Sequence, residues 1–139
     1  MVVLALTGLG AGAVATFRLT GPEWRIVTCR PGATAFARLE LLFGMGKADG
    51  NEVSDAEWRA FLETEVSPRF PEGLMVLTGL GLWRSSEGSQ AREKSRMVEI
   101  WYRPARNSDA NIEAIRAAYK TRFGQESVMR VDGVSCVSF

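Results

Sequence analysis

The side chains that could perform chemistry in this chain are carboxylates, tyrosines, lysines, arginines and two cysteines, because its 139 residues include no histidine. Histidine is the commonest metal ligand and general base, so its absence excludes Ser-His-Asp triads and histidine-ligated metal or haem sites. Glu40 or Glu99 could act as a general base, and Arg84 could stabilise an anion. No motif for a metal or an organic cofactor is present, and we expect neither.

Apolar residues recur with the period of a strand in four segments and with the period of a helix in two, in the order β-α-β-β-α-β. Ser54 and Glu57 form a capping box that begins the first helix, and Pro68 is expected to end it. Ser108 or Asp109 is expected to cap the second helix, which Gly124 closes. The expected strands are residues 37–45, 74–83, 96–103 and 127–139.

This order of elements predicts an α+β domain of the ferredoxin-like class, in which two helices pack on one face of a four-stranded antiparallel sheet. A polar loop over residues 85–95 is expected to join the two central strands. The last strand changes its apolar phase at Asp132 and Gly133, which indicates a β-bulge. The chain length suffices for one domain with a hydrophobic core and is too short for two.

Cys29 and Cys136 are the only cysteines, and we expect them to form a disulfide bond. In a ferredoxin-like sheet the first and fourth strands are antiparallel neighbours, and the two cysteines lie on those two segments. A closed loop of roughly 100 residues would contribute about 4 to 5 kcal/mol in the chain-entropy model. The alternative is two free thiols, because the residues that precede the first strand could carry Cys29 elsewhere.

Strand alternation assigns charged and large apolar side chains to the sheet face opposite the helices, which we call the open sheet face. If Leu39 and Val98 face the helices, their sequence neighbours point the other way. The candidate binding surface consists of Arg38, Glu40, Leu42, Met97, Glu99 and Trp101, with Trp83 and Arg84 at its rim. Ferredoxin-like domains often cover such a face by pairing two sheets in a homodimer. The alternative is a solvated face with cross-strand Arg–Glu pairs.

The N-terminal residues 2–17 carry no charge and contain Ala13-Val14-Ala15, a small-x-small sequence typical of a cleaved export signal. We expect residues 1–15 to be an export signal, residues 16–36 a linker and residues 37–139 the folded domain, exported to the periplasm or cell envelope. The apolar run is shorter than the about 20 residues that span a bilayer. An N-terminal membrane anchor is therefore the alternative, and no stable span is expected in the mature protein.

Three segments together resemble the uncharacterised bacterial family DUF3574. They are residues 68–84 (PRFPEGLMVLTGLGLWR), residues 112–125 (IEAIRAAYKTRFGQ) and Cys136-Val137-Ser138-Phe139 at the C-terminus. The resemblance covers most of the chain after Ala37 and implies a small exported bacterial domain. The family has no assigned active site, so the resemblance implies no catalytic residue.

The balance of charge gives no reason to expect a polyanionic partner. The 17 Lys and Arg residues offset 16 acidic ones, and the net charge of +1 indicates neither nucleic acid nor an anionic membrane. Two functions remain. The first is a non-catalytic exported module that binds a protein or small-molecule partner through the open sheet face, as a homodimer. The second is a cofactor-free enzyme of the dimeric α/β-barrel type, acting on a small organic molecule with Glu40 or Glu99 as the base.

Overall fold

The computed structural model describes residues 28–84 and 86–139, with only the backbone of Ala91. The predicted export signal, residues 1–15, and most of the predicted linker lie outside the described residues. No helix in the described part of the chain is long and apolar enough to cross a membrane.

Four strands and two helices follow one another in the predicted order. The elements are β1 (Thr34–Gly44), α1 (Asp55–Phe61), β2 (Met75–Arg84), β3 (Gln90–Tyr102), α2 (Ser108–Phe123) and β4 (Met129–Val137), with a π-helical turn (Leu62–Val66) directly after α1. The strands form one sheet in the order β2-β3-β1-β4, and each neighbouring pair is antiparallel. The predicted α+β arrangement of a four-stranded antiparallel sheet with two helices is confirmed, and β1 begins inside the predicted linker.

The hydrophobic core lies between one face of the sheet and both helices. Alternate residues of the two central strands, among them Leu39, Leu41, Val98 and Ile100, are fully buried there, as the alternation predicts. Phe43 packs edge-to-face against Trp58 of α1 and Tyr119 of α2, with ring centroids 5.3 and 4.6 Å apart. Such aromatic contacts stabilise a core beyond the apolar area that they bury. Both helices are therefore held on the same sheet face.

The first helix begins with the predicted capping box. The Ser54 hydroxyl accepts a hydrogen bond from the Glu57 amide at 3.3 Å, and the Glu57 carboxylate accepts one from the Ser54 amide at 2.9 Å. Lys47 donates to the same carboxylate at 2.7 Å and, together with the Ser54 bonds, lowers the pKa of Glu57 to about 2. The π-helical turn ends at Val66, just before Pro68, so the predicted end of the helix is confirmed.

The second helix ends as predicted and begins differently. Gly124 has a φ of 66°, in the left-handed conformation that ends many helices. Glycine adopts this conformation without strain because it has no Cβ atom. The predicted cap at Ser108 or Asp109 is wrong. The N-cap residue is Asn107, whose side chain makes no capping bond, and the Ser108 hydroxyl instead accepts from the Ala105 amide at 2.9 Å. The hydroxyl is used to close the preceding turn.

The predicted polar loop over residues 85–95 is also wrong, because β3 begins at Gln90 and pairs with β2 as far as Arg84. The polar residues of this segment form the outer end of a two-stranded ribbon. Lys94, for example, pairs with Glu52 at 2.8 Å on the protein surface. Most of this segment lies outside the hydrophobic core, and its exposed positions are therefore polar.

The predicted β-bulge at Asp132 and Gly133 is absent from β4. The register with β1 runs without interruption from Thr34 opposite Val137 to Leu42 opposite Met129. The apolar pattern changes phase because β4 is an edge strand that carries apolar residues on both faces, including the exposed Val131 and the half-buried Val134. Gly133 lies opposite Arg38, whose guanidinium passes over it.

The predicted disulfide between Cys29 and Cys136 is confirmed, with the two Cα atoms 5.5 Å apart. Cys136 lies opposite Ala35 on β1, so the segment before β1 returns directly over the end of β4. Arg30 adds a hydrogen bond to the Ser138 hydroxyl at 2.8 Å. These contacts hold both ends of the described chain at one edge of the sheet.

We predict that Cys136→Ser destabilises the protein only under oxidising conditions. The bond joins residues separated by 107 positions. For such a loop the chain-entropy model gives at most about 4 to 5 kcal/mol, or a fall in melting temperature on the order of 10 °C. Thermal unfolding followed by circular dichroism, with and without a reductant, measures the effect. Two freely alkylatable thiols in the native oxidised wild type would contradict it.

Candidate functional site

The open sheet face carries an apolar strip that crosses all four strands. The pairing places Trp101 opposite Arg38, Glu99 opposite Glu40 and Met97 opposite Leu42, and all six side chains are half-buried. The outer strands add exposed apolar residues to this face, namely Met75 (51%), Leu77 (41%), Met129 (47%) and Val131 (37%). The structure therefore brings the predicted residues of β1 and β3 together on one surface.

The carboxylates predicted as general bases lie on this flat surface. Glu40 and Glu99 are directly opposite each other, and Arg38 pairs with Glu40 at 3.2 Å. Within the described residues Glu99 forms no ion pair. Arg84 lies at the far end of β2 from Met75, the partner of Glu99, and a strand of this length extends about 30 Å. The structure does not assemble Arg84 and these carboxylates into one catalytic site.

A concave site lies at one end of the open sheet face, where glycines remove the side chains from its floor. Gly44 of β1 lies opposite Ser95 of β3, and the carboxylate of Glu93, the next residue of β3 on this face, lies over Gly44 and Gly46. The resulting cavity, which we call the Glu93 cleft, has a volume of about 410 Å³. Its lining includes Leu42, Gly44, Trp83, Arg84, Glu93 and Gln125.

The carboxylate of Glu93 lies directly over the glycine floor. Its Oε2 atom accepts a hydrogen bond from the Gly46 amide at 2.8 Å. A Cβ atom on Gly44 would lie only 2.3 Å from Oε1, so any larger residue there would displace the carboxylate. Among the described residues no donor contacts Oε1. The Gly46 amide therefore holds one oxygen, and the other lies against Gly44 without a donor among the described residues.

The floor of the Glu93 cleft is anchored from the core. The buried Tyr119 hydroxyl donates a hydrogen bond to the Gly44 carbonyl at 2.7 Å, and the side-chain amide of Gln125 donates one to the Gly46 carbonyl. Burial raises the pKa of Tyr119, and the negative charge of Glu93 raises it further. The phenol consequently remains a protonated donor at any physiological pH.

The indole of Trp83 forms one wall of the cleft. It folds back over Gly81, where a Cβ atom would lie 2.2 Å from the indole nitrogen, and that nitrogen donates to the Ser95 hydroxyl at 3.4 Å. The loop after α2 forms the opposite wall, with Glu126 accepting from the amide and hydroxyl of Ser86 at 3.3 Å. An aromatic face and a carboxylate thus border the same space.

Lys47 also lines the cleft, but its ammonium group is paired with Glu57, so the arrangement suits a small organic ligand that carries a positive charge and a planar ring. The charge can approach Glu93, and the ring can stack on Trp83. Among the described residues, no three His, Cys, Asp or Glu side chains are grouped as metal ligands. Arg84, at the exposed edge of the cleft, forms no ion pair with a described residue and could contact an anionic group of the ligand.

Of the residues that line the cleft, Trp83 and Arg84 were predicted from the sequence, whereas Glu93, Gly44 and Gly46 were not. A signal was present, since Gly44 and Gly46, which both line the cleft, are two residues apart, the spacing that places residues on one face of an extended chain. Assigning residues 85–95 to a loop concealed the fact that Glu93 shares that face.

The fold and the Glu93 cleft define a small α+β domain with one open sheet and a cavity of ligand size at its end. Residues 38–139 match the family described as a protein of unknown function, DUF3574, and the chain belongs to this family. The predicted family membership is thereby confirmed. No curated protein matches the sequence of the chain.

Two solved structures share the fold at low sequence identity. One is a phage SAM lyase in complex with S-methyl-5′-thioadenosine, with a TM-score of 0.59 and 12% identity over 82% of this chain and 95% of that one. The other is a phage SAM lyase in the apo state, with a TM-score of 0.53 and 15% identity over 81% of this chain and 96% of that one. Similarity at this level shows a common backbone architecture.

Proposed function

We propose that the protein binds a small adenosyl compound with a positive charge, of the class of S-adenosylmethionine, in the Glu93 cleft. The observation that carries the proposal is the Glu93 carboxylate, held over the glycine floor with Oε1 directed to no described donor, beside the indole of Trp83. A sulfonium has no hydrogen to donate and is recognised by charge, which a fixed carboxylate supplies. An adenine ring is planar and stacks on an aromatic side chain.

The structural similarity supports this choice of ligand class. The phage SAM lyase that shares the fold was solved with S-methyl-5′-thioadenosine, an adenosine thioether. At 12% identity no residue role can be transferred, so the assignment of Glu93 and Trp83 depends on the geometry of this chain alone. The cavity of about 410 Å³ lies within the size range of small-molecule sites.

If the protein is a cofactor-free enzyme, the second function that its sequence allows, this proposal makes Glu93 its catalytic carboxylate and not Glu40 or Glu99. Of the three glutamates considered, Glu93 lies in the concave site, whereas Glu40 and Glu99 lie on the flat surface. If the bound adenosyl compound is converted, Glu93 is the side chain positioned to accept a proton or to stabilise a developing positive charge.

We predict that the wild type binds S-adenosylmethionine and that Glu93→Gln weakens this binding by about ten- to a hundredfold, since hydrogen bonds and contacts to a charged group are worth about 1.5 to 3 kcal/mol. Binding of the uncharged S-methyl-5′-thioadenosine should change much less. Isothermal titration calorimetry measures both affinities. Glu99→Gln, on the same strand and the same sheet face, is the matched control and should leave both unchanged.

Gly44→Ala provides a second variant that keeps the charge and moves the carboxylate, because its Cβ would occupy the position of Glu93 Oε1. It should weaken S-adenosylmethionine binding in the same direction as Glu93→Gln. Absence of binding of either compound to the folded wild type would overturn the proposal, as would an equal loss of both affinities in Glu93→Gln.

The apolar strip on the open sheet face favours a second function, and we also propose that the end of this face that carries Arg38, Glu99 and Trp101 binds a second copy of the chain. The strand order β2-β3-β1-β4, with both helices on one side, supports assignment to the ferredoxin-like class, in which sheets often pair in this way. In a twofold contact, Arg38 of each copy can approach Glu99 of the other and supply the cationic partner that Glu99 lacks among the described residues.

We predict that Trp101→Ala and Glu99→Lys weaken this association while leaving the domain folded, because both side chains lie outside the hydrophobic core. Sedimentation of the wild type and both variants tests the association, and thermal unfolding tests the fold. A wild type that remains monomeric at high concentration contradicts the homodimer. Unfolding caused by Trp101→Ala would show that this side chain is a core residue.

Export from the cytoplasm also remains a proposal. The Cys29–Cys136 disulfide supports it, because such bonds persist in oxidising compartments. We predict that the mature chain begins near Thr16 and occurs in the periplasmic or cell-envelope fraction with the two cysteine peptides linked. Cell fractionation followed by non-reducing mass spectrometry checks this expectation. Full-length protein with Met1 in the soluble cytoplasmic fraction would contradict it, and a chain with Met1 in the membrane fraction would indicate the N-terminal anchor.

A further inference from the structure

A second cavity adjoins the Glu93 cleft within the open sheet face. It has a volume of about 390 Å³ and shares Leu42 and Trp83 with the Glu93 cleft. We call it the Gly79 groove. Its remaining lining comes mainly from apolar or uncharged residues of β2 and β3, including Leu77, Gly79, Gly81 and Met97.

The groove exists because Gly79 has no side chain between two bulky walls. Leu42, Met97 and Leu77 form a continuous row across β1, β3 and β2 on one side of it. Trp83 forms the other side. A Cβ atom on Gly79 would have no heavy atom within 4 Å, so the space above it is open.

None of the described residues that line the groove directs a charged group into it. Arg96 borders it, yet its guanidinium lies on the opposite face of the sheet, 5.2 Å from the centre of the Trp58 ring and paired with Asp55. The Ser95 hydroxyl is buried and accepts from the Trp83 indole. The groove therefore suits an apolar group, whereas the Glu93 cleft suits a charged one.

We propose that the Gly79 groove receives an aliphatic or thioether substituent of the ligand whose ring and charge occupy the Glu93 cleft, and that Trp83 is the specificity-determining residue between the two. This inference rests on the proposed adenosyl site. Trp83 and Leu42 border both cavities, so the groove adjoins the cleft and lies within reach of a substituent of a ligand bound there. Each buried methylene group then increases the affinity about fourfold.

A series of 5′-alkylthioadenosines with growing alkyl chains tests the groove directly. The wild type should bind each longer homologue about fourfold more tightly than the last until the groove is filled. Gly79→Val fills the groove with a residue that strands favour. The Gly79→Val variant should bind S-methyl-5′-thioadenosine with the affinity of the wild type. Its affinity should not increase with longer alkyl chains. Val76→Thr, on the same strand and the opposite face, is the control and should retain the gain.

The outcomes separate the two proposals. Failure of the folded wild type to bind any homologue overturns the adenosyl site and the groove together. If the wild type binds the homologues with an affinity that does not depend on chain length, the groove proposal alone is overturned. The same holds if the affinity of Gly79→Val still increases with chain length. Trp83→Ala provides an independent variant, which should weaken binding of every homologue and reduce the gain per methylene. Melting temperatures of all variants, measured alongside, establish that each remains folded.

Discussion

The register of β1 against β3 and β4 is the constraint on which the rest of this structure depends. Side chains on a strand alternate between faces, so a slip of one residue would exchange the two faces of the central strand. Leu39, Leu41 and Phe43 would then leave the core. Arg38 and Glu40 would enter it, and even a paired arginine and carboxylate lose hydration free energy when they are buried in a core. The aromatic contacts of Phe43 with both helices therefore determine which residues the open sheet face can present.

The same strand links the core to the Glu93 cleft. Tyr119 belongs to the aromatic cluster and donates through its hydroxyl to the Gly44 carbonyl, which forms part of the cleft floor. Because the ring is held on several sides, the carbonyl has a fixed position, and Glu93 lies over a rigid surface. Preorganisation of this kind lowers the entropic cost of binding a ligand.

The strand glycines of the Glu93 cleft and the Gly79 groove lower the stability of the sheet. Glycine in a strand is destabilising by roughly 0.5 to 1 kcal/mol relative to alanine, and Gly44, Gly79 and Gly81 all lie within strands. The side chain of Glu93 fills the space above Gly44, and that of Trp83 fills the space above Gly81. The space above Gly79 is open. The disulfide, which stabilises the same sheet by closing a long loop, offsets part of this cost.

The sequence by itself determined the order of elements, the core faces of β1 and β3 and the capping box at Ser54, because periodicity and local hydrogen bonding act over a few residues. It also predicted the bond between Cys29 and Cys136, because they are the only two cysteines and the order of elements makes the first and fourth strands neighbours. Only the tertiary structure decided where β3 begins and which side chains meet at the Glu93 cleft. A polar strand outside the core has the composition of a loop, and the apposition of Gly44, Gly81 and Glu93 arises from three strands distant in sequence. Such contacts depend on register between strands, which no local pattern specifies.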